Sequence, residues 1–222
     1  WNNLSNNVDL GYRLANAGFP IVLCNVSNLY FDMAYTKDPR EQGSYWGGFV
    51  DTRKVWEFIP ENLYWSSKRS SLGKFFNPAV DFKESVRLTK EGLANISGIQ
   101  GHLWSETLNG SDEMLEYYYL PRLIGLSERA WAAHPQWATV EDPMNRENQE
   151  TRAWQRFVYK LASKELPRLN YFNEGYQYRI PPPGGIKEEG LLKINHLYGM
   201  DVRYTLDGLS LIHISEPTRR YS

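Results

Sequence analysis

Two short segments of the sequence each carry an aromatic residue two positions before a carboxylic acid. Tyr30 precedes Asp32, and Trp104 precedes Glu106. Side chains two apart in an extended chain point to the same side, so each pair presents an aromatic group beside an acid. An aromatic plane packs on the apolar face of a sugar ring, and a carboxylate accepts hydrogen bonds from vicinal hydroxyls. The two pairs together predict a pocket for a sugar-like ligand, although either pair alone could be an ordinary feature of a protein rim.

Each pair follows a short apolar segment that predicts a buried strand. Residues 21–26 are rich in β-branched side chains, and 98–104 has glycines where another backbone comes close. We expect Tyr30–Asp32 and Trp104–Glu106 at the carboxyl ends of two such strands, the edge where parallel α/β folds place their active sites. The polar, aromatic segment 27–51 is predicted to be a binding loop, and it contains Trp46.

Helical periodicity surrounds these strands. Residues 8–17 are predicted to form a helix with Leu10 and Leu14 on one face, and 62–82 show no clear period and are predicted to be loop. Further helices are predicted over 52–58, over 86–93, from the N-cap Ser111 through an interruption at Pro121 to Trp131, and over 147–162. The order of elements predicts an α/β fold, part of a parallel sheet covered by helices.

The sequence changes character near residue 179. Prolines 181–183 and the glycines after them predict a stiff linker over 179–185, followed by strands at 191–195 and 201–205 and a turn at Asp207-Gly208. We therefore predict three parts: 1–178 as the catalytic-domain portion, 179–208 as the start of a small β domain, and 209–222. That last segment, beginning LSLIHISEPTR, resembles a translated sequencing adapter, with a natural strand and turn as the alternative.

Composition narrows the classes of partner. The 222 residues hold 25 Lys and Arg against 26 Asp and Glu, a net charge of −1 that argues against nucleic acid or an anionic membrane as partner. No apolar run approaches the ~20 residues of a membrane helix. Cys24 is the single cysteine, which excludes an intrachain disulfide and predicts a buried thiol. His134 and His196 lack partners at metal-ligand spacing, and His102 is predicted to be a hydrogen-bonded core residue, so no metal or cofactor is expected.

Longer motifs carry a resemblance to a known family. The segments NAGFPIVLCNVSNLYFDMAY, YWGGFVDTRKVWEF, GIQGHLWSE and LPRLIGLSERAW resemble, in this order, the end of the barrel in β-N-acetylhexosaminidases of glycoside hydrolase family 20. The segment from YRIPPPGG to RYTLDG resembles the start of the small C-terminal β domain of bacterial members. The resemblance implies the C-terminal part of a (β/α)₈ TIM barrel, from about strand six or seven to strand eight and the last helices, then a truncated β domain.

The resemblance also implies an activity, the removal of terminal GlcNAc or GalNAc with retention, in which the substrate's own acetamido group is the nucleophile. Transferred residue by residue, Tyr30 would donate its hydroxyl to the acetamido oxygen and Asp32 would position the substrate. Trp104 would form a pocket wall, and Glu106 would bind the hydroxyls at C4 and C6. The remaining matches are two tryptophans that would line the pocket, Trp46 and Trp1.

The family's adjacent Asp-Glu pair, with the Glu as general acid, belongs to an earlier barrel strand. The Asp112-Glu113 step in this sequence instead fits the first turn of a helix, so we expect the chain alone to be inactive. The alternatives are a lacto-N-biosidase, or a non-catalytic carbohydrate-binding protein on a degenerate barrel. The resemblance suggests a periplasmic or extracellular location, which the residues themselves do not determine.

Overall fold

The computed structural model describes residues 8–70 and 73–205. Predictions made for Trp1, for the turn at Asp207-Gly208 and for the adapter-like segment 209–222 lie outside the described residues. Contacts between residues divide the chain into two compact units. The first holds the residues up to Thr151 together with Tyr176–Arg179, and the second holds Arg152–Gly175 and the residues from Ile180 onward.

The first unit combines a small parallel sheet with short helices. Its strands are β1 (Ile21–Leu23) and β2 (Ile96–Ile99). Its helices are α1 (Leu10–Asn16), α2 (Val26–Leu29), α3 (Thr52–Trp56), α4 (Leu63–Ser66), α5 (Pro78–Asp81), α6 (Lys90–Leu93), α7 (Asp112–Tyr119) and α8 (Arg122–Trp131), with 3₁₀ turns at Pro60–Asn62, Ser105–Thr107 and Gln136–Thr139. No helix in the described part of the chain is both long and apolar enough to cross a membrane.

Strands β1 and β2 pair in parallel, as the sequence predicted. Ile21 lies opposite Ile96 and Leu23 opposite Ile99, and the pairing resumes beyond the strands as a parallel bridge between Tyr30 and His102. This sheet lies against the core of the first unit. That core consists of Val8, Tyr12, Leu23, Val26, Leu29, Tyr30, Phe31, Met33, Val50, Val55, Phe58, Leu63, Tyr64 and Phe82.

Both strands are shorter than predicted. The first ends at Leu23 rather than Val26, because Val26 and Leu29 are buried at 1% and 0% exposure as parts of α2. Burial of these two side chains overrides the β propensity of the run. Strand β2 covers Ile96–Ile99, so the prediction of a strand over 98–104 was wrong beyond Ile99. Cys24, predicted to be buried, is partly exposed.

Helix α1 is present, but its predicted apolar face is wrong. Leu10 and Leu14 are 42% and 37% exposed, while Tyr12 and Ala15 are buried. Tyr12 is held from outside the helix, since its hydroxyl donates to the Pro60 carbonyl at 2.6 Å and accepts from the Leu63 amide at 2.8 Å. The hydrogen bonds of Tyr12 therefore determine which face of α1 is buried, and the spacing of the leucines does not reveal them.

Capping side chains set the ends of several helices. Asp51 accepts from the Lys54 amide at 2.8 Å and begins α3, and Thr89 accepts from the Gly92 amide at 2.9 Å and begins α6. The helix predicted over 86–93 is accordingly only α6. The segment predicted to be loop, 62–82, contains the short helices α4 and α5. Ser111 and Pro121 begin α7 and α8, so the predicted interruption at Pro121 is confirmed.

The second unit contains a helical segment and a hairpin. Helix α9 (Pro143–Lys160), which begins four residues before its predicted start, contributes its residues from Arg152 onward and continues as a π-helical turn, Leu161–Glu165, and α10 (Leu166–Leu169). Strands β3 (Gly184–Glu188) and β4 (Leu191–Asn195) pair antiparallel. The strand at 191–195 is confirmed. Residues 201–205 are not a strand, and the predicted linker is shorter than 179–185 because Gly184 and Gly185 already pair with β4.

A cluster of two buried carboxylates and two partly exposed basic side chains joins three segments of the first unit. Lys68 donates to both Glu57 and Glu150 at 2.8 Å, and Arg53 approaches the same two carboxylates at 3.6 and 3.8 Å. Burial, together with the nearby Glu150 carboxylate, raises the pKa of Glu57 from its ordinary value of 4.5 to about 7, against the opposing effect of Lys68.

The raised pKa of Glu57 makes stability depend on pH. The folded protein holds the Glu57 proton more tightly than the unfolded chain, so this stabilisation is complete below about pH 4.5 and is lost as pH rises through about 7. We expect the free energy of unfolding to fall less between pH 5 and pH 8 in Glu57→Gln than in the parent, as measured by urea unfolding at the two pH values. The exposed Glu91→Gln is the control. An unchanged slope in Glu57→Gln would contradict this prediction.

Candidate active site

Backbone hydrogen bonds bring the two predicted pairs together. Helix α2 ends at Leu29, whose carbonyl accepts from the His102 amide at 2.8 Å, and the Phe31 amide donates to the His102 carbonyl at 2.6 Å. Tyr30 therefore lies beside the chain that leads from β2 to Trp104. The two clusters face the same site at the carboxyl ends of β1 and β2.

Four rings of the described part of the chain lie together at this site, those of Tyr30, Trp46, His102 and Trp104. Tyr30 has its ring centroid 6.0 Å from that of Trp46 in an edge-on arrangement and 6.3 Å from that of Trp104. The His102 ring stacks on Tyr30, with centroids 5.3 Å apart and planes 21° from parallel. Tyr30 is only 6% exposed, whereas Trp46 and Trp104 are 44% and 47% exposed. The two indoles thus offer open surface around a buried phenol.

Asp32 and Glu106 do not lie on extended chain, where the sequence predicted them. Asp32 lies in a turn after Tyr30, and Glu106 lies on the 3₁₀ turn Ser105–Thr107, so neither pair belongs to a continuous strand. Asp32 is buried, and its Oδ1 has no hydrogen-bond partner among the described residues, while Glu106 is exposed. Burial raises the pKa of the Asp32 carboxyl and the nearby Glu106 carboxylate raises it further, against backbone hydrogen bonds and Arg122.

The Tyr30 hydroxyl is suited to donate a hydrogen bond. Burial raises its pKa, and the nearby Cys24 and Asp32 add to the rise, while the Trp104 side chain opposes it. A phenol with a raised pKa stays protonated at neutral pH. It can therefore stabilise negative charge that develops on an oxygen in the pocket.

The loop after Asp32 is closed at its base. The Ser44 amide donates to the Asp32 carbonyl at 2.8 Å, and the Ala34 amide donates to the Ser44 carbonyl at 2.7 Å. Gly43, at φ +120°, allows this approach, because a Cβ there would lie 2.7 Å from the Ala34 nitrogen. This closure holds Trp46, two residues after Ser44, beside Tyr30.

The far part of the same loop is tied by a buried ion pair. Arg179 donates to Glu41 through Nε and Nη2, the shorter contact being 2.8 Å, and both side chains are 7% exposed. The Tyr117 hydroxyl also donates to Glu41, and the Arg179 amide donates to the Leu120 carbonyl at 3.0 Å. The loop is thus fixed to the end of α7 and to residues 176–179 of the first unit.

The structure brings together Tyr30, Asp32, Trp46, Trp104 and Glu106, and it does not describe Trp1. It also adds His102, which the sequence assigned to the core. His102 belongs to the site because it forms a parallel bridge with Tyr30. A single sequence does not show which residue of one strand lies beside which residue of another, so it could not predict this contact. Within the described residues, no three His, Cys, Asp or Glu side chains are grouped as a metal site requires.

Relatives of known name match most of this chain. A beta-hexosaminidase of Vibrio vulnificus is 32% identical over 219 residues, which is 90% of this chain and 25% of that protein. An N,N'-diacetylchitobiase of Vibrio harveyi is 31% identical over 225 residues, 94% of this chain and 24% of that protein. The chain thus spans about a quarter of the length of these relatives. Among solved structures, a GH20 beta-N-acetylhexosaminidase of Streptomyces coelicolor A3(2) matches 77% of this chain and 26% of its own, with 22% identity and a TM-score of 0.48.

Family models match both parts of the chain. The model described as Chitobiase/beta-hexosaminidase C-terminal domain matches residues 165–220. The model described as Glycosyl hydrolase family 20, catalytic domain, matches residues 1–134, more than half of the chain. This match, with the parallel pairing of β1 and β2, confirms the predicted fold class, part of an α/β barrel. The chain belongs to glycosyl hydrolase family 20.

Proposed function

We propose that the whole protein containing this chain removes terminal N-acetylhexosamine residues from glycans with retention of configuration. The observation that carries the proposal is the meeting of the largely buried Tyr30 phenol with two half-exposed indoles and two carboxyl groups. Family membership supports it, as do the printed names of the relatives, beta-hexosaminidase and N,N'-diacetylchitobiase.

In the proposed reaction the acetamido oxygen of the substrate attacks the anomeric carbon, and the glycosidic bond breaks. Tyr30 donates a hydrogen bond to that oxygen and holds it in line with the anomeric carbon. A well-oriented internal nucleophile can supply roughly 7–11 kcal/mol of the barrier. Protonation of the leaving group is assigned to the Asp-Glu pair that the resemblance places on an earlier barrel strand. The attack forms a cyclic oxazolinium intermediate. Water then bonds to the anomeric carbon from the face that the leaving group left, and the bond from that carbon to the acetamido oxygen breaks, so the configuration is retained.

The other residues bind the sugar in this proposal. Trp104 and Trp46 supply apolar walls, consistent with their half-exposed rings. Asp32 offers its unpartnered Oδ1 as an acceptor at the base of the pocket, where its raised pKa reflects a dry environment. Glu106 lies exposed on its turn and binds the hydroxyls at C4 and C6 of a terminal sugar. A carboxylate in that position closes the pocket beyond the terminal unit, which favours release of one sugar over release of a disaccharide.

The test compares two substrates on the whole protein. An aryl N-acetyl-β-glucosaminide carries the internal nucleophile, and the corresponding aryl β-glucoside carries a hydroxyl there instead. We expect hydrolysis of the first with a kcat/KM at least about 1,000-fold higher than that of the second, because only the first can form the cyclic intermediate. Comparable rates for the two substrates would contradict the proposed mechanism, and tight binding without hydrolysis would favour a carbohydrate-binding protein.

Glu106→Gln tests the binding role of the exposed acid. We expect KM for the N-acetylglucosaminide to rise about tenfold with kcat little changed, because the amide replaces one charged acceptor by a donor. The ratio of activity on gluco and galacto substrates should also shift. The control is Glu113→Gln on α7. The Glu113 carboxylate accepts a hydrogen bond from the Ser111 hydroxyl. If both sugars gave parental constants with Glu106→Gln, the residue would not belong to the site.

A further inference from the structure

We propose that His102 is a positioning residue that sets the orientation of the Tyr30 ring, an inference that rests on the function proposed above. The sequence predicted a core histidine. In the structure the imidazole instead contacts two of the rings of the candidate site, Tyr30 at 5.3 Å and Trp104 at 5.9 Å between centroids.

The backbone fixes where the two rings can meet. The His102 amide donates to the Leu29 carbonyl at 2.8 Å, and the His102 carbonyl accepts from the Phe31 amide at 2.6 Å. These two bonds flank Tyr30, so the side chains of Tyr30 and His102 leave neighbouring backbones side by side. The pairing places the imidazole against the face of the phenol.

Among the described residues whose rings surround Tyr30, only His102 lies close to parallel with it. The planes of Tyr30 and His102 differ by 21°, whereas those of Trp46 and Trp104 are turned from Tyr30 by 79° and 51°. A stacked neighbour restricts rotation of the phenol about its own bond more than edge contacts do, because rotation drives the ring edge into the imidazole. His102 therefore sets the orientation of the Tyr30 ring and with it the position of the Tyr30 hydroxyl.

Within the described residues, the contacts of the imidazole are with the rings of Tyr30 and Trp104. Its Nε2 is buried and has no hydrogen-bond partner among the described residues. The ring also lies at 30° to the Trp104 plane, so His102 touches both Tyr30 and Trp104. Loss of the imidazole would leave a gap beside both rings, and each could then turn.

The experiment compares His102→Ala with His102→Phe in the whole protein, using an aryl N-acetyl-β-glucosaminide. We expect His102→Ala to lower kcat on the order of 100-fold, the loss that a misplacement of about 1 Å can cause, with KM little changed. His102→Phe keeps a flat ring against Tyr30 and should retain most of kcat. The control is His134→Ala, whose side chain is 38% exposed and pairs with Glu61.

A double-mutant cycle with Tyr30→Phe separates positioning from a general structural role. If His102 acts through the Tyr30 hydroxyl, His102→Ala should change kcat little once that hydroxyl is gone. Additive losses of kcat in the cycle would overturn the positioning role, and so would equal losses of kcat in His102→Ala and His102→Phe. Either result counts against the role whether or not His102→Ala also lowers the melting temperature. A parent protein that does not hydrolyse the substrate would overturn the proposed function and this inference with it, whereas an active parent with additive losses overturns only the inference.

Discussion

Tyr30→Phe is expected to lower kcat of the whole protein by about 100- to 1,000-fold on an aryl N-acetylglucosaminide, with a small change in KM. Removal of one preorganised donor to a developing charge costs about this much in other enzymes. The phenol is 6% exposed and burial raises its pKa, so in the proposed reaction its hydroxyl acts as a neutral donor to the acetamido oxygen. Phenylalanine keeps the ring stack with His102 and removes only the oxygen.

Tyr119→Phe provides the matched control. Tyr119 packs edge-on against Phe31, with centroids 6.0 Å apart, so this variant also removes one phenolic oxygen near the sheet. We expect its kcat to stay near that of the parent. A kcat for Tyr30→Phe within twofold of the parent would remove Tyr30 from the reaction, and a rise in KM without a fall in kcat would assign it to ground-state binding alone.

The sequence predicted the proximity of the candidate site residues better than it predicted the elements that position them. The aromatic and acidic residue types at 30, 32, 104 and 106 were sufficient to predict a shared pocket, because their two segments follow strands that pair in parallel. The predicted reason for their common direction was wrong, since Asp32 and Glu106 both lie in turns. Convergence comes instead from the bridge between Tyr30 and His102, a contact that links residues 72 positions apart in the sequence.

Hydrogen bonds between residues far apart in the sequence explain why hydrophobic periodicity predicted the wrong buried face for α1. Tyr12 is buried because Pro60 and Leu63 bond its hydroxyl, although Leu10 and Leu14 gave the stronger helical signal. The partners of Tyr12 lie 48 and 51 residues away. Periodicity reports only which side of an element is apolar, so it carries no information about such anchors.

Arg122 bonds both ends of the loop that carries Trp46, residues 33–50. We expect Arg122→Met to be the most destabilising of the substitutions proposed above and below. The guanidinium is fully buried at the start of α8 and donates to the carbonyls of Met33, Val50 and Tyr118 at 2.8, 3.0 and 3.0 Å. It also lies 3.7 Å from the Tyr35 ring centroid. Met33 and Val50 lie at the two ends of the loop that carries Trp46, so one side chain closes that loop.

Methionine would remove the Arg122 donor from all three carbonyls. The carbonyls of Met33 and Val50 would each cost about 1–3 kcal/mol where water does not reach them, whereas the Tyr118 carbonyl keeps a 3.5 Å contact from the Tyr35 hydroxyl. We expect Arg122→Met to lower the free energy of unfolding by about 3–5 kcal/mol in urea, with the slope of the transition unchanged. Arg40→Met, in the same loop, is the control: its side chain is 86% exposed in a surface pair with Asp38, so we expect its free energy of unfolding to stay close to that of the parent. A loss for Arg122→Met no larger than that of Arg40→Met would contradict the closing role.

Arg122→Lys separates the charge of Arg122 from its shape. Burial lowers the pKa of the Arg122 guanidinium, so a charge at this position is held at a cost, and an ammonium would be held at a greater one. A single lysine nitrogen also cannot reach the carbonyls of Met33 and Val50 together with that of Tyr118 in the geometry of a planar fork. We therefore expect Arg122→Lys to lose most of the stability that Arg122→Met loses. Full stability with lysine would show that the positive charge alone holds the loop, and that the three directed hydrogen bonds contribute nothing.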